Sequence, residues 1–322
     1  MTQVTIGIVL YPGAQMSAVL GLTDLFTLAS QFGGENESAL PHLRVRHLKI
    51  DPGSRAHVIF DSAGHPDEAN RLRSDVLILP PTLEAPLSPE AAAPAARWLC
   101  LRHAEGSVIA SICGGAFVLA ETGLLDGRAV TTHWTYEQAL HDRFPKLKVD
   151  VDRLVIDGGD IISAGGLMSW IDLGLIVVNR FLGPMIMART AQMMLVDLPG
   201  REQRFYSGFI PRLSHGDSAI LKAQHYLQTQ EGKDTRVSVL AEHAGLEERT
   251  FLRRFQKATG LTATSYAQRL RVAKSQELLQ FGKQPVESIA WQVGYSDPGA
   301  FRKVFHRIVG LTPGEYRQRF SA

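Results

Sequence analysis

The stretch Phe255-Gln256-Lys257-Ala258-Thr259-Gly260-Leu261-Thr262-Ala263-Thr264-Ser265-Tyr266 returns fifty residues later as Phe305-His306-Arg307-Ile308-Val309-Gly310-Leu311-Thr312-Pro313-Gly314-Glu315-Tyr316. Phe, Gly-Leu-Thr and Tyr stay in register, and an arginine follows three residues on, Arg269 and Arg319. Upstream, Ala241-x3-Gly245 returns as Ala290-x3-Gly294 at an offset of forty-nine, so the second copy holds one extra residue. Two copies are too few for a stacked solenoid, which needs about three or more; they describe two duplicated small modules. In each, hydrophobic spacing predicts a short helix (237–244 and 286–293), a glycine corner (Gly245 and Gly294) and a second helix (248–258 and 297–308). That is helix-turn-helix grammar. In the second copy Ser296-Asp297-Pro298 supplies a capping hydroxyl, an early carboxylate and a first-turn proline, whereas Glu247 stands at the corresponding place in the first.

Phe251 and Phe255, like Phe301 and Phe305, stand four apart and turn one face of each second helix inward. Arg249, Arg253, Arg302 and Lys303 are left on the other face. Arginine can pair bidentately with guanine O6 and N7, or hold a phosphate that positions the protein without reading sequence. An isolated basic run is usually a solvated face; the same face charged twice at a fixed offset points to a polyanion. A helix over 264–281, with Tyr266, Leu270, Ala273 and Leu278 on one side, can set two reading helices about 34 Å apart, in successive major grooves. Charge is distributed to match. From residue 216 onward sixteen Lys and Arg face ten Asp and Glu, a net +6, while the rest of the chain carries eighteen against twenty-two, a net −4.

With 322 residues, 45% hydrophobic and 20% charged, the chain can bury a sizeable core in two domains and lacks the composition of a disordered protein. Two cysteines, Cys100 and Cys113, exclude a disulfide framework, and no Cys/His cluster has zinc-ligand spacing. No metal and no cofactor is expected, and a reducing cytoplasm fits. The most apolar stretch, 161–188, is interrupted by Asp172, Asn179 and Arg180, short of the roughly 18 apolar residues that a membrane span needs. The start, Met1-Thr2-Gln3-Val4, has no basic region before its apolar run and reads as a first strand rather than an export signal.

The first half alternates strand and helix patterns. Residues 4–10 form a β-branched run ending at Pro12-Gly13, and 16–29 carry Val19, Leu22 and Phe26 at helical spacing. Residues 75–79 are a continuous apolar strand stopped by Pro80-Pro81; 91–102 read as helix, 107–112 as strand, 115–122 as helix. Later pieces over 149–156, 161–164 and 169–181 extend the same layer. Short doubly buried strands between helices predict a parallel sheet covered on both faces. The expected architecture is therefore α/β: a flavodoxin-like parallel-sheet sandwich domain over 1–196, a breaker-rich linker over 197–215, and an all-α domain with two helix-turn-helix motifs over 216–322.

Val108-Ile109-Ala110-Ser111-Ile112-Cys113-Gly114-Gly115-Ala116-Phe117 reads as strand, tight turn and helix start with a cysteine at the corner. Such a residue is expected to be exposed at the sheet's C-terminal edge with its sulfur at the positive end of a helix, which favours thiolate. His133, in Thr131-Thr132-His133-Trp134, is a candidate base. The competing reading makes Cys113 a small buried packing residue, and Cys100 reads as core.

Roughly the last hundred residues resemble the DNA-binding domain of AraC/XylS-family transcriptional regulators, through both turns, the linking helix and the closing Gly310-Leu311-Thr312-Pro313-Gly314-Glu315-Tyr316-Arg317-x2-Phe320. The resemblance implies that Arg249, Leu252 and Arg253 face DNA from the first reading helix, and Gly299, Arg302 and Lys303 from the second; a Leu and a Gly there imply readout partly by shape or methyl contact. Residues 4–24, the Cys113 segment and Gly123-Leu124-Leu125-Asp126-Gly127 resemble the PfpI-type glutamine-amidotransferase-like superfamily, in its GlxA-like branch that joins such a domain to an AraC-type DNA reader. That resemblance maps Cys113 to the elbow nucleophile and His133 to its partner. Two departures count against catalysis: Ala18 stands where enzymatic relatives carry a glutamate, and Pro81-Thr82 where they commonly have Gly-Gly, so that Pro81 offers no N–H to an oxyanion.

The expected function is thus a DNA-binding regulator, not an enzyme, controlled by a small nitrogen-containing metabolite. Cys113, Gly114 and His133 would line its pocket, Trp134 would offer a π face, and Asp24 or Asp172 a charge. Operator DNA, a homodimer formed through the N-terminal domain, and RNA polymerase are the expected partners. A cysteine-dependent amidase or hydrolase, and a thiol redox sensor at Cys113, remain alternatives.

Overall fold

A computed structural model describes residues 3–36, 40–64 and 73–321; Met1, Thr2 and Ala322, at the ends of the expected domains, lie outside the described residues. The chain divides into two compact units, Met1–Gln203 and Arg204–Ala322. Residues 197–215, read from sequence as a linker, are packed on either side of that division. Gln203 is buried in the first unit, and Phe209 packs on the core of the second.

In the first unit the elements run β1 (Gln3–Leu10), α1 (Met16–Asn36), β2 (His42–Ile50), β3 (Ala56–Asp61), β4 (Val76–Leu79), α2 (Pro89–Ala104), β5 (Val108–Ile112) and α3 (Gly115–Ala120). They continue through β6 (Ala129–Val130), α4 (Glu137–Arg143), β7 (Lys148–Val149), β8 (Val155–Asp157) and β9 (Ile161–Ala164) to α5 (Trp170–Met193). Seven strands form one sheet in the order β3-β2-β1-β4-β5-β9-β8, and β6 and β7 pair separately. The centre is parallel, but β3 and β8 are antiparallel edges, so the sheet is mixed rather than all-parallel. Alternation sends Ile78 to a core shared with α1 and α5, and Leu77 and Leu79 to the opposite core with α2, α3 and Leu140 of α4. The result is three layers, as expected for strands that are apolar throughout.

The hairpin β2–β3 was not foreseen in the sequence. Arg44 and Arg46 interrupt the apolar pattern of β2, yet both are buried, because Asp61 of β3 takes them at 2.7 and 2.9 Å. Helix α5 is long and apolar enough to cross a membrane by length and composition. Its Leu173, Leu175, Val177 and Val178 instead fill the core with α1, and it is kinked at Gly183 and Pro184.

In the second unit seven helices follow: α6 (Ser218–Thr229), α7 (Val237–Ala244), α8 (Glu248–Thr259), α9 (Ala263–Phe281), α10 (Val286–Gln292), α11 (Pro298–Val309) and α12 (Pro313–Phe320). The fifty-residue repeat is a repeated piece of packing. Phe251, Phe255 and Tyr266 centre one core, with Phe255 and Tyr266 edge to face at 5.4 Å; Phe301, Phe305 and Tyr316 centre another, with the corresponding pair at 5.6 Å. Gly-Leu-Thr is a stop followed by a start. Gly260 and Gly310 end α8 and α11 in the left-handed region (φ +74° and +83°), and Thr262 and Thr312 cap α9 and α12 by accepting from Ser265 and Glu315 N–H. Gly245 and Gly294, the expected corners, likewise have φ of +63° and +87°. The cap of α11 is Asp297, not Ser296: its carboxylate accepts from Gly299 and Ala300 N–H at 2.8 and 3.0 Å. Because the two phenylalanines occupy equivalent places, Phe255→Ala and Phe305→Ala should each destabilise the second unit by about 3–5 kcal/mol, read from denaturant midpoints; a loss at one position only would break the equivalence.

Candidate functional site

Cys113 ends β5 at the elbow, in a left-handed conformation (φ +52°) that a non-glycine residue adopts only where its surroundings enforce it. Its N–H donates to Ala164 O of β9 at 2.7 Å, and its carbonyl accepts from Thr132 Oγ1 at 2.8 Å. The two glycines that follow are required by close approach. A Cβ on Gly114 would stand 2.3 Å from Thr82 Cγ2, and one on Gly115 2.8 Å from Leu79 O. The loop after β1 locks onto the loop after β4, with Gln15 N–H on Pro81 O at 2.8 Å, a bridge between Ala14 and Thr82, and the Tyr11 hydroxyl on Pro80 O.

Cys113 is therefore 1% exposed, not open at the sheet edge. Burial pushes its thiol up to about 11, outweighing the backbone N–H groups of Gly114, Gly166 and His133 that approach the sulfur and favour thiolate. The expectation of an activated thiolate is corrected on this ground: desolvation exceeds the stabilisation available from those N–H groups. Ala18, where a carboxylate would be needed, is buried in the same apolar cluster as Cys113. Tyr11 and Tyr136, which sequence reading missed, share the surroundings of the thiol. Burial, with Cys113 close by, raises both phenols.

His133 meets Cys113 through its backbone rather than its ring. Its Nδ1 accepts from Thr135 N–H at 3.2 Å, which places the proton of the neutral ring on Nε2, and burial lowers its pKa and keeps it neutral. Thr135 thus engages the Nδ1 lone pair, and no hydrogen bond joins the His133 ring to Cys113 among the described residues. The Trp134 ring stacks on His133 at 5.4 Å, and its backbone N–H donates to Gln203 Oε1 at 3.0 Å. Gln203 also donates to Thr132 O and Val151 O at 2.9 and 3.0 Å. Nothing in its breaker-rich stretch signalled this buried amide. Asp24 is exposed on α1, and no hydrogen bond or ion pair links it to Cys113, His133 or Trp134 among the described residues. Asp172 is not available to a cation either: it is buried and held by Arg201 at 2.5 Å. Among the described residues no group of three or more His, Cys, Asp or Glu is arranged to hold a metal ion.

In the second unit, α8 buries Phe251, Phe255 and Ala258 and exposes Arg249, Leu252, Arg253, Gln256 and Lys257. Leu252, 44% exposed, is an apolar side chain in the middle of a cationic face. Helix α11 repeats the arrangement with Arg302, Lys303, His306 and Arg307 exposed and Gly299 half-buried in its first turn. The six expected DNA-facing residues thus fall on two matched helix faces. Gln256, Lys257, His306 and Arg307 extend those faces, and the same four-residue spacing could have found them. On α11, Arg302 pairs with Glu287 of α10.

These features define an α/β domain built around a cysteine elbow, joined to a duplicated helix-turn-helix domain. The DJ-1/PfpI family matches residues 52–180, and the helix-turn-helix domain family matches 240–319. The chain belongs to the GlxA-like group of proteins that combine a DJ-1/PfpI-type domain with an AraC-type helix-turn-helix domain. It is 31% identical over 217 residues to the HTH-type transcriptional regulator GlxA of Rhizobium meliloti, covering 66% of either chain. It is 27% identical over 222 residues to the HTH-type transcriptional regulator CdhR of Pseudomonas aeruginosa, covering 69% of this chain and 66% of that one. The alignment thus spans about two thirds of these relatives' length. An AraC family transcriptional regulator from Pseudomonas putida, of known structure, matches with a TM-score of 0.47 at 18% identity, over 59% of this chain and 99% of that one.

Alkylation of native Cys113 by iodoacetamide, followed by mass spectrometry, should accelerate about tenfold per pH unit from pH 7 to 9 without a plateau, because the thiol ionises above that range. A plateau below pH 8 would mean an activated thiolate. Arg201→Ala should destabilise the first unit by about 3 kcal/mol, since it leaves the Asp172 carboxylate buried without its partner.

Proposed function

We propose that this protein is a sequence-specific DNA-binding transcriptional regulator whose N-terminal domain binds a small nitrogen-containing metabolite. The observation that carries the DNA half is the repeated face of α8 and α11, cationic outward and aromatic inward, on a scaffold duplicated at fifty residues. Arg249, Leu252 and Arg253 read one stretch of major groove, and Gly299, Arg302 and Lys303 a second. The curated relatives are HTH-type transcriptional regulators, which supports this reading.

In the N-terminal domain, Ala18, Pro81 and the buried neutral thiol of Cys113 speak for a retained fold without hydrolysis, and the same thiol disfavours a redox switch. The effector is bound beside Cys113, Gly114, His133 and Trp134. Ligand entry then needs the interlocked loops at 11–15 and 80–82 to part, and binding shifts DNA affinity only by preferring one arrangement over another. The protein works in the cytoplasm as a homodimer formed through the N-terminal domain and meets RNA polymerase at its operator.

Selection from random duplexes should yield an operator, and Arg253→Ala or Arg302→Ala should each weaken it by about five- to a hundredfold while leaving unrelated duplexes far less affected. Operator binding insensitive to both together would sink the assignment. A saturable rise in melting temperature with an amine, betaine or amino acid, without consumption of the compound, would identify the effector class.

A further inference from the structure

Beside the outward face of α8 the second unit holds an open hollow of about 520 Å³, lined by Arg212, His215, Asp217, Arg253, Arg254 and Lys257. The segment that closes it is held in place by hydrogen bonds to the buried side chain of Gln224. His215 accepts from Asp217 N–H through Nδ1 at 3.0 Å, so its Nε2–H is the donor to Gln224 Oε1 at 2.7 Å. Gln224, fully buried, donates in turn to Arg212 O at 2.9 Å and to the Tyr266 hydroxyl at 3.2 Å. Each group in that chain has one consistent role as donor or acceptor, which fixes the backbone of 212–217 on α6 and on the core of the first helix-turn-helix.

The electrostatics are one-sided. The single carboxylate, Asp217, is neutralised by Arg254, whose Nε and terminal nitrogen reach it at 2.9 and 2.6 Å, and that guanidinium, with the Ile220 N–H, holds its pKa below the ordinary value. Arg212, Arg253 and Lys257 add three further positive side chains to the lining of the hollow. Arg253 and Lys257 stand one helical turn apart on α8 and belong at once to the hollow and to the face that carries Arg249 and Leu252. When the first turns of a reading helix lie in the major groove, the strand bordering that groove passes beside the helix's later turns. We infer that this hollow seats a backbone phosphate of the operator duplex, anchoring α8 in register through Arg212 and Lys257, while Arg253 at its edge is left to the bases. The inference rests on the DNA-binding reading above and adds to it a contact that carries no sequence information.

The test uses the full chain, a duplex carrying the selected operator and an unrelated duplex of equal length, with affinities measured by fluorescence anisotropy across a salt series. Lys257→Gln and Arg212→Gln are each expected to weaken both duplexes by the same factor, about fivefold to tenfold at 0.1 M salt, and to lower the slope of log K against log salt by about one. Arg249→Gln serves as the contrast, weakening the operator alone. Unchanged affinity and slope in Lys257→Gln would overturn the phosphate seat while leaving the regulator reading intact, and so would a loss confined to the operator. Wild-type protein that binds neither duplex would overturn both. If Arg212→Gln also lowers the melting temperature, Lys257→Gln decides alone, because the Lys257 side chain has no hydrogen bond or ion pair among the described residues.

Discussion

The seating of Thr82, Leu79 and Pro80 against Gly114 and Gly115 governs the chemistry of the N-terminal domain. Adjacent parallel strands β4 and β5 bring their following turns together, and only glycine lets the backbones approach this closely. The same approach lays the loop after β4 over the elbow, and the hydrogen bond from Gln15 to Pro81 ties the loop after β1 to it. Cys113 ends up in the apolar interior. A sulfur in that position retains its proton, and the N–H groups that approach it cannot offset the loss of water. The elbow is thereby a closed corner, held between the loops at 11–15 and 80–82.

In the second unit a different constraint acts. Helix α9 contributes Tyr266 near its start to one aromatic core, and Val272 and Leu279 further along to the other. Each core needs the helix, and the helix needs both cores, since its exposed faces are polar. Burying each phenylalanine contributes about 2–3 kcal/mol, and these contributions converge on one element. Helices α8 and α11 are thereby fixed to a common rod, which is why the repeat keeps Phe, Gly-Leu-Thr and Tyr in both copies while the outward residues differ.

Much of this was legible in the sequence because it depends on local rules. The repeat, its glycine corners and the aromatic spacing at four residues are readable without tertiary information, and the outward cationic residues of α8 and α11 follow from the same helical period. What stayed hidden depends on partners distant in the chain. Strand β2 was unreadable because its two buried arginines are paired with Asp61, fifteen or more residues away. The thiol of Cys113 was misread because helix position argues for thiolate, while burial, set by loops at 11–15 and 80–82, argues the other way and is the larger effect. Gln203 gave no signal at all: an amide in a stretch of prolines and glycines reads as solvent-exposed until Thr132, Val151 and Trp134 are brought around it.

The duplicated scaffold also shows where the copies have been free to diverge. Position by position, Arg249 answers to Gly299, Leu252 to Arg302, Arg253 to Lys303, Gln256 to His306 and Lys257 to Arg307. Helix α8 thus presents a methyl-rich side chain between arginines, suited to a thymine methyl, whereas α11 presents a guanidinium that Glu287 holds at its base. An exposed pair of this kind is worth about 0–1 kcal/mol, so Arg302 can exchange its carboxylate for a base or phosphate at little cost. Meanwhile Glu287 limits the rotamers from which Arg302 begins. The two helices share a core and a spacing but not the chemistry of their outward faces, so a duplicated scaffold need not present a duplicated surface.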